Sequence, residues 1–164
     1  MSSTPSANER DAAALVLENR WAALATIVDG APLASMVAYA PEPGLASLVM
    51  HLCGLAAHTG ALLREPRASL VISAPDPGAG DPQTIPRITL QGHAFPVERD
   101  AAEFEGAWRV YVERFPDAAP RLDLGDFVLF RFVPGEARFV GGFARAVTLD
   151  ADRLRGAARA RSAS

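Results

Sequence analysis

The stretch HLCGLAAHTGALLREPRASLVI, residues 51 to 72, places His51, Cys53 and His58 within eight residues, with Thr59 next in line. Such a set offers zinc ligation, a thiol with a neighbouring base, or anion binding. Zinc fits worst, because no fourth ligand lies nearby and a strand running into a helix aims these side chains apart. A nucleophilic Cys53 needs a depressed thiol pKa, and a small buried residue is the plainer role for a lone cysteine. Anion binding asks for positive charge and donors. A strand end, the first turn of a helix, His58 and the Thr59 hydroxyl supply those together. The plainer role for His51 is a histidine in a sheet wall.

The elements that must hold these residues follow from pattern. SANE, Ser6 to Glu9, reads as a capping box opening a helix to about Arg20. WAALATIV is a strand, Asp29-Gly30 a tight hairpin turn, and PLASMVAYA the returning strand. A turn over Pro41 to Gly44 and a third strand, LASLVMHL, complete an antiparallel meander over residues 21 to 52. A helix spans Leu55 to Glu65 and Pro66 stops it. Residues 68 to 73 form a strand, 74 to 86 a surface loop, and RITLQGHAFPV a further strand. Asp100 with Glu103 caps a helix to about Arg114, and DFVLFRFVP and ARFVGGFARAVTL flank a turn at Pro134-Gly135. Gly141-Gly142 reads equally as a bulge.

Composition bounds the function. The 164 residues are 49% hydrophobic, which suits one domain with a real core over residues 1–152, followed by a basic tail at 153–164 read as a frayed helix. A net charge of -3 argues against a general polyanion binder, so neither nucleic acid nor an anionic membrane is expected. The 16 basic residues counted as Lys or Arg are all Arg, which removes Schiff-base lysine chemistry and the P-loop. One cysteine, no signal-peptide pattern and no apolar run near the ~20 residues of a membrane span fit a soluble cytoplasmic protein. The fold class is mainly β with helical insertions, an antiparallel barrel whose closure removes exposed edges. Fold alone decides little about function.

ATIVDGAPLASMV, HLCGLAAHTGALLREPRASLVI, PRITLQGHAF, VYVERFPDA, LGDFVLFRF and ARFVGGFARA occur here in order. Together, over about residues 10 to 150, they resemble the pyridoxamine 5'-phosphate oxidase-like FMN-binding split barrels, in the branch associated with haem utilisation. The resemblance implies an FMN flavoprotein, an oxidoreductase of unknown substrate, built as a homodimer with the flavin cleft between subunits. It places the flavin ring and ribityl chain against Ser35, Met36 and Val37, with His51, Leu52 and Cys53 facing the ring. It gives the phosphate to His58 and Thr59, a contact at the start of a strand to Arg87, and a partner-subunit approach to Gly141, Gly142 and Phe143. Cys53 stands where the family has Ser, and Ala61 where it has Asn. Ala40 replaces the lysine of the pyridoxal phosphate-forming enzymes, so theirs is not the expected reaction. No catalytic acid, base or metal site is expected. The alternatives are a haem-binding or haem-degrading protein, with haem as the cofactor, and a non-catalytic flavin-binding protein.

Overall fold

The computed structural model describes residues 4–162. Helix α1 (Ala7–Glu18) opens as the capping box predicts. The Glu9 amide donates to Ser6 Oγ at 3.3 Å and the Ser6 amide donates to Glu9 Oε2 at 2.6 Å. Strands β1 (Trp21–Val28) and β2 (Ala31–Ala38) form a hairpin whose turn holds Asp29 at φ 49° and Gly30 at φ 81°. Left-handed values at both turn positions match the twist of the flanking strands.

Beyond that hairpin the expected meander is carried on only by Ala40 and Pro41, which pair with Val49 and Leu48. Strand β3 (Ala40–Pro41) continues directly from β2, and β4 (Leu48–Cys53) pairs with β3 and β7 rather than with β2. The remaining elements are α2 (Ala57–Arg64), β5 (Arg67–Ser73), β6 (Arg87–Val97), α3 (Phe104–Arg114), β7 (Phe127–Val140), β8 (Ala146–Asp150) and α4 (Ala151–Ser162). The sheet runs β2-β1-β5-β6-β7-β4-β3, with β8 added to β7. Residues 31–41 close it: Ala38 pairs with Trp21 of β1, and two residues later Ala40 pairs with Val49 of β4. One continuous segment thus serves both edges, giving a split antiparallel barrel. Arg131 holds the closure by gripping Glu42, just past β3, with Nη2 at 2.7 Å from Oε1.

Three other expectations are corrected. Pro134-Gly135 makes no turn; β7 runs straight through, and the register shift between Gln91 and Gly92 of β6 absorbs the extra residue as a bulge. The chain reverses instead at Gly141–Arg145, where Gly142 adopts φ 127° and Ala144 φ 58°. Helix α3 starts at Phe104 with Glu103 in a helical conformation and no side-chain cap, so Asp100 and Glu103 do not cap it. The basic segment from 153 is not frayed: α4 buries Leu154, Ala157 and Ala158 in the main core.

That core fills the barrel with Leu24, Met50, Leu70, Ile88, Phe130 and Phe132, joined by Val16 of α1 and Leu62 of α2. A second cluster lies outside the wall. There Ala40, Val49 and Leu129 pack under Phe104, Ala107 and Tyr111 of α3. Strand β4 is therefore covered on both faces, which explains why Leu48 to Leu52 are all buried, His51 included.

Candidate functional site

Alternation along β4 sends Leu52 into the barrel core and His51 outward, beneath α3. His51 is only 8% exposed, held by Trp108 and Phe127, both with ring centroids at 4.9 Å, and by Tyr111 at 5.7 Å. Its Nδ1 is enclosed without a hydrogen-bond partner. Burial, reinforced by the positive charges of Arg121 and Arg99, lowers its pKa to about 4, so the imidazole is neutral at pH 7. It borders a cavity of about 200 Å³ shared with Arg99, Phe104, Leu122 and Phe127.

Cys53 ends β4 half-buried with a free thiol. Its carbonyl accepts the Thr59 hydroxyl at 2.7 Å, and Thr59 is fully buried. The structure thus joins Cys53 and Thr59, but through a bond that commits the hydroxyl inward. His58 lies half-buried in the first turn of α2, and burial lowers its pKa, which favours the neutral ring. Ala56 at the N-cap offers no side-chain bond.

Continuity of 31–41 brings Met36 and Val37 alongside the end of β4. Val37 is buried in the core and Met36 points outward, exposed. Ser35 turns inward, and its Oγ is enclosed and unpartnered. Arg87 sits apart: the ladder Ala38–Trp21–Ser73–Arg87 follows from the strand registers, with Ala23, Val71 and Thr89 in the adjacent row. Three strand spacings separate it from β2, roughly 14 Å. Its Nη1 donates to the Gln83 and Ile85 carbonyls at 2.9 and 3.2 Å. Gly141 and Gly142 form the β7–β8 turn beside it, since Arg87 pairs with Val140, and Phe143 stands on that turn 91% exposed. The candidate residues therefore fall in two groups, one around the end of β4 and one at the rim of β6 and β7. Among the described residues no cluster of His, Cys, Asp and Glu could hold a metal ion.

The sequence reading missed a second concavity. A groove of about 600 Å³, mostly apolar, opens across β1, β5, β6 and β7, with Ala25, Ile27, Arg67, Ala68 and His93 in its walls. The β-bulge places it. At Gly92 a Cβ would stand 2.1 Å from the Val133 carbonyl oxygen, so only glycine allows β7 to approach there. The Gly-His pair opposite Pro-Gly was the available signal, obscured by assigning Pro134-Gly135 to a turn.

These features define the class: a split barrel of the pyridoxamine 5'-phosphate oxidase-like type, in the haem-utilisation branch. More particularly, the model of the family described as "CREG, beta-barrel" matches residues 4–153, and the chain belongs to that family. The chain is 39% identical over 119 residues to the chloroplastic non-canonical haem oxygenase HOZ of Arabidopsis thaliana, covering 72% of this chain and 34% of HOZ. It is similar to the haem-binding protein of Mycobacterium smegmatis, with 29% identity and a TM-score of 0.81 over 94% of this chain and 62% of that one. It also resembles HutZ, the haem storage protein of Vibrio cholerae, at 25% identity and TM-score 0.65, over 77% of this chain and 84% of HutZ. The chain thus spans about a third of the oxygenase and under two thirds of the mycobacterial protein. No helix among the described residues is long and apolar enough to cross a membrane.

Proposed function

We propose that the protein binds haem, as a dimer in the cytoplasm, rather than acting primarily as an FMN oxidoreductase. The observation that carries this reading is the state of the expected phosphate cradle. Thr59 spends its hydroxyl on Cys53, burial lowers the His58 pKa and so disfavours its charged form, and the N-cap of α2 is an alanine. A phosphate dianion needs positive charge and free donors, and the first turn of α2 retains little beyond backbone amides. Haem makes a weaker demand at that point, since most of its surface is apolar and its iron asks for one good ligand. The haem-related names of the similar proteins support the same direction.

Dimerisation is supported by the outer face of β1, β2 and β5, where Trp21, Ile27, Met36 and Val71 are all exposed. Large side chains gathered on one sheet face favour a self-complementary contact. Phe143, exposed on the β7–β8 turn, adds a further large apolar side chain available for such a contact.

Parallel titration of the purified protein with haem and with FMN, followed by absorption and by flavin fluorescence, tests the reading. A saturable Soret band at one haem per chain, with FMN bound at least about tenfold more weakly, is the expected result. Tight FMN with no specific haem band would restore the flavin reading. Light scattering reports the dimer in the same samples.

A further inference from the structure

Resting on the haem reading, we infer that the groove across β1, β5, β6 and β7 is the haem seat and that His93 would supply the protein's ligand to the iron. The chain has three histidines, and the structure separates them. His51 is clasped by three aromatic rings beside a cavity of about 200 Å³, too small for a macrocycle to approach its ring. His58 does not line the groove. His93 is exposed on β6, directly opposite Arg67 of β5, and borders a mostly apolar volume of about 600 Å³. That volume lies within the ~300–1,000 Å³ typical of cofactor sites.

The wall chemistry fits haem in detail. Ala25, Ile27 and Pro32 supply the apolar part of the lining, beside the longer polar side chains of Arg67, Gln91 and Glu136. Phe95 supports the imidazole, its ring parallel to that of His93 within 8° at 6.1 Å. Arg67 is fixed by Glu65 through Nε at 2.9 Å and Nη2 at 2.8 Å, which leaves Nη1 uncommitted at the rim for a propionate. Ile27 lies both in this groove and on the face of β1, β2 and β5 offered above for the dimer, so the seat borders that proposed subunit contact.

The experiment is haem titration of the full chain with His93→Ala, His51→Phe, His58→Ala and Ala25→Trp, read by Soret position, electron paramagnetic resonance of the ferric form, and affinity. His93→Ala should shift the Soret band and weaken binding at least about tenfold, and added imidazole should restore the wild-type spectrum. Ala25→Trp, which fills the groove, should weaken binding while leaving His93 in place. Changes at His51 and His58 should leave the spectrum as it is. Wild-type spectra in His93→Ala would overturn this site while leaving haem binding intact, and so would a spectral change in His58→Ala alone. Absence of any specific haem band in the wild type would instead remove the haem reading beneath it.

Discussion

The Thr59 hydroxyl donates to the Cys53 carbonyl at 2.7 Å, tying the last residue of β4 to the first turn of α2. This bond is buried at the Thr59 end, and it makes the hydroxyl a structural group. Thr59→Val keeps the shape but leaves the carbonyl without that donor, at a cost of about 1–3 kcal/mol in unfolding free energy. Thr59→Ser should recover most of it. Urea denaturation measures both. Haem affinity should stay within about threefold in the valine variant, and a stability loss under ~0.5 kcal/mol would show that the hydroxyl is free for a ligand after all.

His51 makes stability depend on pH. Its pKa is near 6.5 when unfolded and about 4 when folded, so between those values the unfolded chain binds more protons. The contribution is fully present above pH 6.5 and is lost as pH falls toward 4, up to about 3 kcal/mol. His51→Phe, which suits the aromatic surround of Trp108, Tyr111 and Phe127, should flatten this part of the curve. Urea midpoints at pH 7, 6 and 5 for both proteins decide it. Parallel slopes would show that another group titrates there.

Local signals were legible where one short segment decides the structure. The Ser6–Glu9 box and the Asp29-Gly30 turn satisfy their own backbone groups, and both stand as read. Long-range pairing was not legible in the same way. LASLVMHL looks like the third strand of a meander, and it does meet the end of the second at Ala40 and Pro41, but from Leu48 onward it pairs with β7, some eighty residues on. Pro134-Gly135 carries turn residues, but a turn there would have removed the partner of the second half of β6. The same gap hid the groove: its walls come from four strands that meet only in the closed sheet. Of the candidate site, His51 and Cys53 could be placed on one face of a strand from alternation, while the committed Thr59 hydroxyl depends on how α2 docks.

The bulge makes Gly92 a sensitive position. A methyl group there would meet the Val133 carbonyl oxygen at 2.1 Å and its carbon at 3.0 Å, both backbone atoms that cannot swing aside. Gly92→Ala should therefore cost about 1–3 kcal/mol or more and disturb the neighbouring His93. Gly106→Ala, in α3 with open space around it, should be neutral or stabilising by up to about 1 kcal/mol. Thermal melts compare the two. Equal effects would mean that β7 relaxes away from β6 at little cost.

The last prediction concerns α4. Leu154 is 1% exposed in the main core, and Arg153 pairs with the buried Glu9 of α1 at 2.6 Å. The Glu9 carboxyl is held below its ordinary pKa, first by the Ser6 hydrogen bonds and then by Arg153. The capping box of α1 and the docking of α4 thus share one carboxylate. Leu154→Ala removes buried side-chain volume between the helices and should cost about 2–5 kcal/mol, whereas Ala160→Ser, on the exposed face, should stay within ~0.5 kcal/mol. Hydrogen exchange adds a local readout, because amides of α4 and of α1 should lose protection together in Leu154→Ala. A frayed segment would give neither effect, and loss of protection in α4 alone would show that α1 holds its place on the barrel without it.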